Sequence, residues 1–149
     1  MSYTLKFAED IDSSKEDIFI ALKKVVHIWD KVKEILDVDE NEQSVYFRYK
    51  TGNFTKCWIR VNLEEITDNS TKALYIIEWS ANPGTNTSIL DRTLQKIAEE
   101  LHLQVLSALG KDELVQEWKS EAAKNRAITL VCVIAVIIIF LITTFFITR

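Results

Sequence analysis

The side chains that could take part in chemistry are few and lie far apart in the sequence. The histidines, His27 and His102, fall in separate predicted elements, and no third ligand accompanies them in a metal-binding pattern. The stretch that starts at Asp37 begins like a calcium-binding loop, but Glu42 stands where such a loop needs glycine and Arg48 where it needs a bidentate glutamate. The sequence therefore predicts no metal site, a solvated acidic turn, and histidines with structural roles.

Short motifs for catalysis are also missing from the sequence. Its 149 residues include only three glycines, and they form no phosphate-binding loop, dinucleotide-binding pattern or nucleophile elbow. The chain has a net charge of −4 and no basic block, which argues against nucleic acid as a partner. We therefore predict a protein that is not an enzyme, needs no cofactor and does not bind nucleic acid.

The segment at residues 127–147 is apolar throughout. It has no charged residue, glycine or proline, and its 21 residues would span about 31 Å as a helix, which matches the core of a bilayer. Three basic residues precede the segment and one follows it, so the positive-inside rule places the N-terminal side in the cytoplasm. The sequence predicts a tail-anchored, single-pass membrane protein with a cytoplasmic N-terminal domain. The residues predicted to flank the membrane are Lys119, Lys124, Arg126 and Arg149.

Before this segment, hydrophobic periodicity alternates between strand and helix patterns. Period-two alternation predicts strands at 3–9, 32–38, 44–50, 54–66 and 72–81. Apolar residues at helical spacing predict one helix that ends near residue 29 and another that starts near residue 88. Gly110 is predicted to end or kink that second helix, because glycine is common where helices stop. The pattern indicates an α+β fold in which four consecutive strands form an antiparallel meander.

These patterns divide the chain into three predicted parts. They are a cytoplasmic α+β domain at residues 1–111, a juxtamembrane helical stalk at 112–126 and a transmembrane anchor at 127–147.

The order strand, helix, four antiparallel strands and helix is similar to the helix-grip arrangement of the START-like (SRPBCC) superfamily. The segment EDIDSSKEDIFIAL at 9–22 resembles the usual opening of that superfamily, where a strand leads through small capping residues and an acidic turn into an apolar helix. The segment HIWDKVKEI at 27–35 resembles the part that follows. The resemblance implies a long helix lying across a curved sheet, with an apolar ligand often held between them.

Aromatic and basic residues share one face of two predicted middle strands. Alternation places Tyr46 and Arg48 on the same face of the first strand, and Trp58 and Arg60 on the matching face of the second. Aromatic residues and arginines are enriched at protein interfaces, although they also suit an ordinary half-exposed sheet surface. Because the chain is acidic, we predict that these four residues bind a protein partner rather than nucleic acid.

Together, these features predict a non-enzymatic binding or scaffolding module that contacts membrane lipids and recruits protein partners at the cytoplasmic face of a membrane. The START-like resemblance implies an alternative, the binding or transfer of a lipid or another apolar ligand. A membrane-bound enzyme with a dispersed site is a third and weaker interpretation.

Overall fold

The computed structural model describes residues 2–51, 56–80 and 86–147, with side chains described except at 122, 126 and 139–147. These residues form five strands and three helices. In chain order they are β1 (Ser2–Ile11), α1 (Lys15–Ile28), β2 (Val32–Asp39), β3 (Ser44–Tyr49), β4 (Lys56–Thr67), β5 (Ser70–Ser80), α2 (Thr87–Ala108) and α3 (Asp112–Ile147). The predicted α+β order of strand, helix, four strands and helix is confirmed. The chain divides into two compact units, residues 1–110 and 111–149.

The strands form one antiparallel sheet with the order β1-β5-β4-β3-β2. Strands β2 to β5 are the predicted meander, and β1 joins it by pairing with β5 along its whole length. The register places Phe7 opposite Tyr75, and Tyr75 opposite Val61, so their side chains form a row on one face. Because this face is lined by apolar side chains, it is the face on which the helices pack.

The helices of the first unit begin and end at residues suited to those positions. Ser14 caps α1, because its hydroxyl accepts a hydrogen bond from the Asp17 amide at 3.2 Å. The side chain of Asn86 caps α2 in the same way. At the other end of α2, Gly110 has a φ of +75°, a left-handed conformation in which glycine commonly ends helices.

Two helices share the inner face of the sheet. α1 packs against β2, β3 and β4, whereas α2 packs against β1, β5 and α1. In the core between them, Leu22 of α1, Phe47 of β3 and Leu94 of α2 are fully buried. Truncating a buried side chain of this size to alanine typically lowers stability by about 2–5 kcal/mol, so this layer holds the helices on the sheet.

The second unit contains α3, and it corrects the membrane prediction. α3 runs from Asp112 to Ile147. Among the described residues, no helix combines enough length and apolar character to cross a membrane. This finding contradicts the predicted transmembrane helix at 127–147, together with the tail-anchored, single-pass placement and the cytoplasmic assignment of the N-terminal domain.

The residues predicted to flank the membrane lose that role with the predicted span. Lys119 and Lys124 lie on α3. The side chain of Arg126 and the whole of Arg149 lie outside the described residues.

Candidate functional site

The inward-facing side chains of β1 are less buried than those of the strand beside it. Leu5 and Phe7 are half-buried, whereas their register partners on β5, Ile77 and Tyr75, have no exposed surface. β1 is an edge strand, and these half-buried side chains lie on the inner face of the sheet beside α2. We call this place the β1–α2 opening. It consists of Tyr3, Leu5, Phe7 and Glu9 from β1 and Asp91, Glu99 and His102 from α2.

The rim of the β1–α2 opening is polar and acidic. The Tyr3 hydroxyl donates a hydrogen bond of 2.9 Å to a carboxylate oxygen of Asp91, and this bond raises the pKa of Tyr3. Burial raises the pKa of Glu9, and the nearby carboxylates of Asp10 and Glu99 raise it further. The half-buried apolar side chains of β1 are therefore bordered by carboxylates.

The floor of the β1–α2 opening is a buried hydrogen-bonded pair. The Tyr75 hydroxyl lies 2.9 Å from Nδ1 of His102, and the tautomer of the imidazole decides which atom donates. Burial lowers the pKa of His102 to about 4 and raises that of Tyr75, so both groups are uncharged at neutral pH. The Phe7 ring covers this pair, with centroid distances of 5.8 Å to Tyr75 and 6.3 Å to His102.

The sequence predicted a structural role for His102 but did not single out Tyr75. In the structure His102 is buried and faces the sheet. The sequence does contain a pattern that could have identified Tyr75, because it lies among aliphatic residues in KALYIIEW. A tyrosine on the buried face of a strand needs a hydrogen-bond partner for its hydroxyl. The identity of that partner depends on how α2 lies on the sheet, and a local sequence pattern does not specify that placement.

A second aromatic group lies on the inner face near the end of α1. The rings of Trp29 and Tyr49 have centroids 5.6 Å apart, and Cys57 is the register partner of Tyr49. Burial, followed by the charges of Glu100, Cys57 and Asp30, raises the pKa of Tyr49 to about 12. Burial alone raises the pKa of the Cys57 thiol to about 12. Both groups are therefore protonated at neutral pH and belong to the packed core.

The four residues predicted to bind a partner lie together on the outer face of the sheet. Tyr46 is opposite Arg60, and Arg48 is opposite Trp58, on adjacent strands. The guanidinium carbon of Arg60 lies 4.5 Å from the centre of the Tyr46 ring, a cation–π contact. The structure thus brings the predicted residues together, and their role in partner binding stays a prediction.

The acidic turn and His27 make local contacts. An Asp39 carboxylate oxygen accepts hydrogen bonds from the amides of Asn41 and Glu42, and Glu40 pairs with Lys23 at 3.0 Å. His27 Nδ1 lies 2.7 Å from the Lys23 carbonyl oxygen. Over the described ranges, no three His, Cys, Asp or Glu residues are grouped so that they could hold a metal ion.

Comparisons with known proteins identify the fold. No protein-family model matches the chain, and no curated protein matches it in sequence. A START superfamily protein from Mycobacterium smegmatis is similar in structure, with a TM-score of 0.56 and 11% identity over 72% of this chain and 97% of that one. The Zhui aromatase/cyclase from Streptomyces sp. R1128 has a TM-score of 0.51 and 11% identity over 76% of this chain and 94% of that one.

Norcoclaurine synthase from Thalictrum flavum is also similar to this chain in structure. Its TM-score is 0.51 at 11% identity, over 76% of this chain and 87% of that one. The chain therefore has the START-like helix-grip fold, which confirms the resemblance seen in its sequence. At these identities the likeness establishes the fold alone.

Proposed function

We propose that the first unit of the chain binds a small, largely apolar ligand at the β1–α2 opening. The main observation behind this proposal is that, within one row of side chains on the inner face, burial decreases from β5 to β1. Tyr75 is fully buried, while Phe7, its neighbour in the same row, is half-buried and touches both Tyr75 and His102. An apolar surface that is open to water and continuous with a buried core is where an apolar ligand gains most from leaving water.

The chemistry of the opening limits the kind of ligand. The half-buried ring of Phe7 suits a planar apolar group, because aromatic rings prefer edge-to-face contacts. The carboxylates of Glu9, Asp91 and Glu99 at the rim disfavour an anionic ligand. We therefore infer a neutral or cationic apolar compound rather than a fatty acid anion.

The fold supports ligand binding better than it supports the predicted membrane scaffold, so the alternative from the sequence becomes the main interpretation. Two of the similar structures are named as an aromatase/cyclase and a synthase, so the fold is compatible with catalysis. We place binding first because Tyr75 and His102 are both held uncharged by burial. Neither group is then poised to exchange protons near neutral pH. That the chain is not an enzyme remains a prediction.

The test uses the full chain and the uncharged fluorescent probe N-phenyl-1-naphthylamine, which brightens when it leaves water. We expect saturable binding at about one probe per chain. Leu5→Arg places a charge in the opening and should weaken binding at least tenfold. Thr4→Arg is the matched control, because it adds the same charge to the same strand on the exposed outer face. The control should bind within about twofold of the unmodified chain.

Two results would overturn the proposal. One is the lack of saturable binding, and the other is equal binding by the Leu5→Arg and Thr4→Arg variants. Circular dichroism establishes that each variant is folded before it is compared. If Leu5→Arg does not fold, Phe7→Ala provides the same comparison, because it removes the ring over the Tyr75–His102 pair without adding a charge. Its control is Ile76→Ala on the outer face.

A further inference from the structure

The outer face of the sheet carries two aromatic and two cationic side chains in a two-by-two arrangement. We call Tyr46, Arg48, Trp58 and Arg60 the outer patch. Arg60 faces Tyr46 and Trp58 faces Arg48 across strands β3 and β4, so like residues lie on the diagonals. Three of these side chains are half-buried and Arg60 is exposed. Neighbouring positions on both strands, such as Phe47 and Ile59, point to the opposite face and are fully buried.

Carboxylates on the neighbouring strands share the outer face with the outer patch. Glu34 is the register partner of Arg48, Asp37 is that of Tyr46, and Glu78 is that of Trp58. Even so, within the part of the chain that the structure describes, Arg48 and Arg60 form no ion pair with a carboxylate. Arg60 lies over the Tyr46 ring instead. A stacked guanidinium still directs N–H donors outward along its edge, where they can bind an external carboxylate in bidentate fashion.

The spacing of the two arginines defines the shape of the ligand that could use both. Diagonal residues of an antiparallel pair are about 7–8 Å apart. Side chains on one side of an extended peptide repeat every second residue, at about 6.6–6.8 Å. Carboxylates two residues apart in an extended segment can therefore reach Arg48 and Arg60 together. Tyr46 and Trp58 lie on either side of the diagonal that joins Arg48 and Arg60. There they can pack against the methylene groups of glutamate side chains.

We propose that the outer patch binds an extended acidic segment of a protein partner, with two carboxylates spaced two residues apart. This proposal is independent of ligand binding at the β1–α2 opening. The charge of the chain favours a short acidic segment over a polyanion. Residues 1–126 contain 22 acidic and 17 basic residues, so a long polyanion would be repelled by the rest of the surface. Within the roughly 8 Å where salt screens little, Arg48 and Arg60 share the outer face with the carboxylates of Glu34, Asp37 and Glu78. The proposed binding therefore depends on bidentate contacts with both arginines rather than on net charge.

The test uses the full chain and an acetylated, amidated peptide of sequence GSELEVSG, with GSQLQVSG as the uncharged control. Titration calorimetry at low salt measures the affinity of each peptide. We expect the glutamate peptide to bind at least tenfold more tightly than the glutamine peptide. Arg48→Gln and Arg60→Gln should each weaken binding at least tenfold, because each loses one charge-assisted contact. Lys6→Gln is the matched control, since it removes one positive charge from the outer face of β1.

Three results would overturn this proposal. The first is that the glutamate peptide binds no better than the glutamine peptide. The second is that Lys6→Gln weakens binding as much as the arginine variants do, because the effect would then be net charge alone. The third is that an oligothymidylate or phosphatidylserine vesicles displace the peptide and bind more tightly, which would assign the outer patch to nucleic acid or to a lipid surface.

Discussion

The Tyr75 hydroxyl and the imidazole of His102 are hydrogen-bonded to each other at 2.9 Å inside an apolar core. Tyr75 lies on β5 and His102 on α2, so this one contact connects the sheet to the helix across it. Nearby core side chains such as Ile77 and Leu101 are aliphatic and fully buried. A shift of α2 along the sheet would break this hydrogen bond, and a buried polar group that loses its partner costs about 1–3 kcal/mol. The pair therefore helps to fix where α2 lies.

Removing the Tyr75 hydroxyl should destabilise the protein. Tyr75→Phe keeps the ring but removes the hydroxyl that is hydrogen-bonded to His102, and we expect the free energy of unfolding to fall by about 1–3 kcal/mol. Urea unfolding at pH 7, followed by tryptophan fluorescence, measures this change. The control is Tyr46→Phe on the outer face of the sheet, which should stay within about 0.5 kcal/mol of the unmodified chain. Equal losses in the two variants would show that the buried pair has no special role.

The stability of the protein should fall as the pH drops from about 6.5 to 4. Burial lowers the pKa of folded His102 to about 4, whereas an unfolded histidine titrates near 6.5. In this range the unfolded chain binds more protons than the folded chain, so the free energy of unfolding decreases as the pH falls. The full contribution is about 3 kcal/mol, and it levels off below pH 4.

Urea unfolding at several pH values tests this contribution of His102. His102→Gln, which does not titrate, should show a shallower loss of stability between pH 6.5 and 4 than the unmodified chain. Carboxylates titrate in both proteins, so the difference between the two curves isolates His102. Parallel curves would mean that His102 keeps an ordinary pKa in the folded state.

Much of this fold follows from local patterns in the sequence. Alternating residues in segments such as SVYFRYK are enough to separate the buried from the exposed face of each strand. For this reason Tyr46, Arg48, Trp58 and Arg60 were predicted to share a face, and their positions in the sheet agree with that arrangement. Their role in partner binding stays a prediction, because knowing which face a side chain lies on does not identify what it binds.

Features that depend on long-range packing were not predictable from local patterns. The pairing of β1 with β5 joins residues about 70 positions apart, and the contact of Tyr75 with His102 depends on the placement of α2. The half-burial of Leu5 and Phe7 follows from the edge position of β1, which requires the strand order. The membrane prediction rested on composition across 127–147, whereas the described residues contain no helix suited to crossing a membrane.

The two cysteines should differ sharply in reactivity. Cys57 is fully buried, and burial raises its pKa to about 12, whereas Cys132 lies exposed on α3. Alkylation requires the thiolate, so Cys57 should react about a thousandfold more slowly than an ordinary thiol, before its burial is counted. Mass spectrometry after brief iodoacetamide treatment should find one label on the folded chain and two on the denatured chain. The folded Cys132→Ser variant should take up no label, and labelling of that variant at Cys57 would contradict the buried placement.

Replacing Gly110 should weaken the end of α2 through the backbone alone. Its φ of +75° disfavours side chains, but a β-carbon built there would meet no atom within 4 Å. Gly110→Ala should therefore lower the free energy of unfolding by about 1 kcal/mol, because only left-handed strain opposes it. Gly110→Asn should lose less, since asparagine tolerates this conformation better than alanine does. Chemical denaturation ranks the three proteins, and an alanine variant as stable as the glycine original would mean that α2 ends in another conformation.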